Sequence, residues 1–209
     1  MHTLKKGLAL TFCLVGLMLA FAPPASAQRN TDPAQFLAAH EPELQQPIRD
    51  SRKLFLLTIL APAALAAKDF TKARNYANEL MALGQSLQNS PGFGPSFYGD
   101  ATHVGNIVLG QIALQDGDLR SAKEHLFAAA RIPGSPTLNS FGPDMKLAEE
   151  LIEKREPDAA TAYFDLCAKF WVNDQGKLQQ WKDAVTRGSM PNFGPNLGYI
   201  LDKWRYAHW

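Results

Sequence analysis

Few side chains in this sequence stand where they could do chemistry together. Tyr98-Gly99-Asp100-Ala101-Thr102-His103 is the one stretch in which Asp, Thr and His could converge, as acid–base catalysis would require. The same residues have a purely structural explanation, since Asp100 reads as the N-cap of a helix running to about Gln115. His40, His103, His125 and His208 include no pair at helical metal-ligand spacing, and His125 follows Glu124 on what reads as a solvated helix face. Asp116-Gly117-Asp118 lacks the later carboxylates of a calcium loop and reads as a turn between helices. Cys167 sits in a helical pattern, Tyr163 to Ala168, as a small buried apolar residue. No Gly-x-Ser-x-Gly elbow, phosphate-cradling loop or dinucleotide glycine pattern occurs. The expectation is therefore no catalytic residue, no metal ligand and no cofactor.

The elements that would position these residues follow an N-terminal leader. Lys5 and Lys6 precede an uncharged apolar run, Leu8 to Phe21, and Ala25-Ser26-Ala27 has the small-x-small form of a signal peptidase site. Fourteen residues rise about 21 Å as a helix, short of the roughly 30 Å hydrocarbon core of a membrane. The reading is a cleavable signal over 1–27, an extended entry segment over 28–47 and a helical domain over 48–209, in the periplasm or secreted. Removing Lys5 and Lys6 from the 21 basic residues leaves 19 against 20 acidic ones, so a nucleic-acid partner is not expected. Nor is stable membrane insertion of the mature chain. Cys167 is then the only cysteine, and the fold must stand on its core without an internal disulfide.

Strand alternation never persists, and alanine and leucine fill the periodic segments. Leu54 to Ala67 reads as a buried helix with a bend near Pro62, and Asp69 starts another through Ala73, Tyr76, Ala77, Leu80 and Leu83. Further helices are predicted over Leu119–Arg131, Pro143–Lys154 and Pro157–Phe170, and around Leu178, Trp181 and Val185. Leu197, Ile200, Leu201 and Trp204 predict a last one at i, i+3, i+4, i+7. The aromatic C-terminal fifth, Trp171, Trp181, Trp204, Tyr199 and Tyr206 with terminal Trp209, reads mainly as core and capping helices.

Two repetitions cross this pattern. Phe93-Gly94-Pro95, Phe141-Gly142-Pro143 and Phe193-Gly194-Pro195 recur at spacings of 48 and 52 residues, each before a helical segment. They predict three equivalent joints with the phenylalanines buried, or else three rings around one ligand. The second repetition is a helix pair: Leu109-Gly110, Ala113, Gly117-Asp118, Ala122, Leu126 and Ala129, with weaker copies on either side. This pattern resembles the tetratricopeptide repeat family, although Ala73, Ala122 and Ala160 are 49 and 38 residues apart and Leu57, Asn106 and Asp144 replace the family's tryptophan.

The resemblance implies an all-α fold of antiparallel helix pairs in a short irregular solenoid; a non-repeating helical bundle is the alternative. It implies a non-catalytic module binding a protein or peptide, with Ile107, Gln111, Leu114, Met145, Glu149 and Ile152 on the groove side. Two other readings stay open: a small-ligand binder or enzyme with a pocket under the Phe-Gly-Pro loops near Asp100 and His103, and a structural subunit of an envelope complex. The leader reading predicts a mature chain beginning at Gln28. Intact mass of the exported protein checks this, and a species that keeps Met1 or carries a lipid overturns it.

Overall fold

Side-chain caps set four of the α-helix starts in the computed structural model, which describes residues 32–91 and 94–207. The leader, Phe93, His208 and Trp209 lie outside the described residues. Asp32 accepts the Ala34 N–H ahead of α1 (Pro33–His40). A short 3₁₀ turn, Glu41–Gln45, leads to α2 (Asp50–Ala66). Asp69 accepts from Lys72 N–H to open α3 (Phe70–Leu87), and α4 (Gly94–Gln115) follows. Gly117 takes the left-handed φ of 78° that the next turn needs, and Asp118 caps α5 (Leu119–Ala130) through the Ser121 N–H. Ser135 caps α6 (Pro136–Phe141), and α7 (Lys146–Glu153), α8 (Pro157–Cys167) and α9 (Lys177–Thr186) complete the helices. Helix, 3₁₀ turns included, covers 71% of the described residues and no strand occurs among them, so the fold is all-α as the missing alternation predicted.

Helix α4 is the axis of this assembly. Residues 103–114 are buried without interruption, which suits a helix enclosed by neighbours on every side. α3 and α5 pack along it, and α2, α6 and α7 close the remaining faces. Close approach to α3 depends on Gly84, where an added Cβ would meet Ala101 Cβ at 2.6 Å. α2 runs on through buried Pro62, and among the described residues no helix is long and apolar enough to cross a membrane.

Several expectations are corrected. Over its described residues, 32–47, the entry segment is not extended but forms α1 and the 3₁₀ turn: Phe36 and Leu37 are buried, and the Phe36 ring lies 5.5 Å from that of Trp204. Glu43 pairs with Arg52 at 2.6 Å, and Glu41 accepts from Lys72 and Tyr76 at 2.9 and 3.0 Å, so the segment is tied to α2 and α3. Asp100 caps nothing, because α4 already begins at Gly94. Helix α7 starts at Lys146, not Pro143, since Asp144 turns its carboxylate to its own chain and to the C-terminal segment. That segment forms no α-helix. Gly194 and Gly198 take φ of 53° and 74°, and among the described residues only the 3₁₀ turns Gly194–Asn196 and Lys203–Tyr206 form there.

The three Phe-Gly-Pro copies are not equivalent. Phe193 is buried against Trp181 and Phe164, with ring centroids 5.1 and 6.0 Å away, whereas Phe141 is 67% exposed. Phe193→Ala should therefore lower stability by about 3–5 kcal/mol, the usual result of emptying a packed aromatic site. Phe141→Ala should melt like the parent protein. Thermal melts of both variants check this, and equal losses would mean that the copies play one role after all.

Candidate functional site

A cavity of about 490 Å³ opens between α2, α4, α6 and the C-terminal segment, within the size range of small-molecule sites. Leu54, Phe55 and Thr58 come from one face of α2, and Phe97, Asp100 and Val104 from one face of α4. Thr137 and Phe141 stand on α6, and Tyr199, Ile200 and Lys203 complete the wall. Most of this lining is apolar. Thr58 spends its hydroxyl on the Leu54 carbonyl at 2.8 Å, leaving Asp100 as the lining carboxylate.

Ser135 places that carboxylate. Its Oγ accepts the Leu138 N–H to cap α6 and donates to Asp100 Oδ1 at 2.5 Å, so one hydroxyl fixes both the short helix and the acid. Burial pushes the Asp100 pKa up, against the hydroxyls of Ser135 and Thr137 and the charge of Lys203, which favour the ionised form.

His103, one position before Val104, does not join the cavity. Its Nδ1 donates to the Ala129 carbonyl at 2.9 Å, so its Nε2 accepts the Asp144 N–H at 3.1 Å, and the ring is held as one neutral tautomer. Both nitrogens are committed, and burial pushes its pKa down to about 4. The expected Asp100–His103 pair is thus split between a cavity wall and a structural bond. His125 is not a solvated surface group either, since its Nδ1 lies 2.9 Å from Asn106 Oδ1. Cys167 is wholly buried, and that burial raises its thiol well above the ordinary range. Among the described residues no three of His, Cys, Asp and Glu are grouped to hold a metal.

The six expected groove residues do not line an open surface. Ile107, Gln111, Leu114 and Met145 are buried, and Glu149 and Ile152 are half-buried. Helix α7 covers this face of α4: Gln111 donates to Glu150 at 2.9 Å, and Leu147 packs on Gly110. Sequence reasoning named Asp100 but missed Phe55, Thr137, Tyr199 and Lys203 as companions. They come from separate elements, so no spacing links them.

No family model matches the chain. Neither does any curated protein or solved structure. The site therefore has to be read from its own chemistry.

Asp144 lies beside this site and supports it. Its Oδ1 accepts from Lys146 and Gly198 N–H at 2.8 and 3.2 Å, and its Oδ2 from Ile200 and Leu201 N–H at 3.0 and 3.4 Å. Burial pushes its pKa up to about 6 despite these four donors. An unfolded aspartate titrates near 3.9, so this group's stabilisation is complete below that pH and is lost as pH rises through about 6. His103 acts in the opposite sense: its contribution is complete above about 6.5 and is lost as pH falls through about 4. The two offset each other in the parent protein. Asp144→Asn turns an amide donor toward backbone donors and should cost about 1–3 kcal/mol for each one stranded. It should also leave a stability that climbs with pH more steeply than the parent's. Urea unfolding at steps from about pH 4 to 7 tests both points; a variant matching the parent in level and slope would overturn them.

Proposed function

We propose that the mature chain is an exported binding protein without chemistry of its own, and that its ligand is a small amphipathic molecule seated in the Asp100 cavity. One observation carries this reading: an apolar cavity of about 490 Å³ presents a carboxylate that hydroxyls hold in place. A pocket of this kind takes an apolar body by area and orients it with one polar contact. Asp100 accepts hydrogen bonds when ionised, so the ligand's polar end is a donor, an amine or a hydroxyl. The helix pairs, similar in pattern to tetratricopeptide repeats, serve here as the frame around the pocket. Four of the six side chains that the pattern assigned to a groove are core.

The uncharged fluorophore N-phenylnaphthylamine should bind saturably with a rise in emission. Thr137→Phe, which puts a ring into the cavity, should abolish that rise without changing the fold seen by circular dichroism. A primary alkylamine should displace the dye more readily than the carboxylate of equal chain length, and Asp100→Asn should remove the difference. Emission that never saturates, or that Thr137→Phe leaves intact, would sink the reading.

A further inference from the structure

Few polar groups on the wall of the Asp100 cavity are left for a ligand. Thr58 and Tyr199 commit their hydroxyls to the Leu54 and Gly142 carbonyls at 2.8 and 2.5 Å, and Thr137 turns its own to Asp100. Two charges remain: the Asp100 carboxylate on α4 and the Lys203 ammonium on the 3₁₀ turn Lys203–Tyr206. They line one cavity without pairing. Among the described residues Lys203 forms no ion pair, and the neighbouring Asp202 carboxylate goes to Arg205 at 2.8 Å. The charge of Lys203 still favours the ionised form of Asp100, so the two lie within electrostatic reach of each other.

Both charges have supports. Ser135 holds Asp100, and Lys203 lies with its Nζ 6.0 Å from the centre of the Phe55 ring. Arg52 reaches the same ring at 5.6 Å, but Glu43 takes its guanidinium through bonds of 2.6 and 2.7 Å. Its charge is thereby answered, and that of Lys203 is not. Leu54, Phe97, Val104, Phe141 and Ile200 make the rest of the wall apolar. A smaller cavity, about 300 Å³, lies on the other side of Phe141 and shares that ring and Tyr199, but it has no such pair. Its cation, Lys177, sits over the Trp171 ring at 5.3 Å, and none of its described lining residues is an acid.

We infer that the ligand of the Asp100 cavity is an α-amino acid with a large apolar side chain, its ammonium on Asp100 and its carboxylate on Lys203. The inference rests on the reading of this cavity as a small-molecule site and narrows the ligand's polar end to a zwitterion. An ammonium brings three donors to the Asp100 carboxylate, and a carboxylate accepts from the Lys203 ammonium, so both contacts are charge-assisted. A simple amine would satisfy Asp100 but lie in the repulsive field of Lys203. A simple carboxylate meets the reverse difficulty. A molecule carrying both signs is attracted at both ends, and the complementary pattern also selects one orientation. The volume of about 490 Å³ leaves room for a phenyl or indole side chain against the Phe55, Phe97 and Phe141 rings.

The test is displacement of bound N-phenylnaphthylamine at neutral pH by L-phenylalanine, phenethylamine and hydrocinnamate, which share a phenyl ring and differ in the charges they carry. L-Phenylalanine should compete at concentrations at least about tenfold lower than either of the others. Lys203→Met, which keeps the apolar stem and removes the charge, should erase the advantage over phenethylamine. Lys203→Arg should retain it. Lys203 is exposed, and thermal melts of both variants establish that the fold is intact. Dye emission that never saturates, or that Thr137→Phe leaves intact, removes the cavity reading and this inference with it. Saturable dye that phenethylamine displaces as readily as L-phenylalanine overturns this inference alone. So does an advantage that survives Lys203→Met, or dye that L-phenylalanine at about 10 mM, above the millimolar range of weak sites, fails to displace.

Discussion

The wholly buried carboxylate of Asp144 is the constraint on which the C-terminal third is organised. Every hydrogen-bonding group of this residue is used: the side chain collects four backbone N–H donors, the main-chain N–H goes to His103, and the main-chain carbonyl accepts the Tyr163 hydroxyl at 2.9 Å. Burying an acid is costly unless its lone pairs are satisfied, and here one satisfying donor is local, Lys146, and three come from residues 198–201. The bonds therefore work as positional constraints. Residues 198–201 can lie only where their N–H groups reach Asp144, and this places Tyr199 and Ile200 on the wall of the larger cavity. His103 extends the constraint to α4 and, through Ala129, to α5.

This arrangement also explains which parts of the fold were legible in the sequence. Helices closed by their own residues were readable: Asp69, Asp118 and Pro157 sit where capping and first-turn preferences put them. Elements decided by distant partners were not. Leu197, Ile200, Leu201 and Trp204 have helical spacing, yet Gly198 at φ 74° and three N–H bonds to Asp144 set the chain on another path. Asp100 resembles a cap in isolation, but α4 begins earlier and its carboxylate is claimed by Ser135, thirty-five residues on. The six positions that the pattern put on a groove are covered for a related reason. Gly110 of the helix-pair pattern admits Leu147 of α7, which seals the face the pattern left open. Of the candidate site, the sequence disclosed Asp100 and the general place of the Phe-Gly-Pro loops, but not the side chains that α2, α6 and the C-terminal segment bring beside them.

Identical tripeptides reached different ends because their flanks differ. Phe193 follows α9 and meets the apolar end formed by Phe164, Trp171 and Trp181, so its ring enters the core. Phe141 closes a six-residue helix whose inward position is already filled by Leu138, wholly buried. Its ring is left outside, while Gly142, at φ 85°, turns the chain toward Asp144.

An exposed phenylalanine on a mobile loop would need no functional explanation, since isolated apolar side chains are common on surfaces. Phe141 differs in how much of the molecule is spent holding it. Asn196 and Tyr199 satisfy the three carbonyls around it, Trp171 packs on its neighbouring glycine, and Ser135 caps its helix while fixing Asp100. Asn196 and Trp171 each keep a buried polar atom unpaired in doing so. A core optimised for stability alone would pair those atoms or replace them. A ring whose position is set beforehand loses little entropy when another molecule covers it. The two cavities share this ring and that of Tyr199 as common walls, so the rigidity that begins at Asp144 is delivered to both aromatics that line the two.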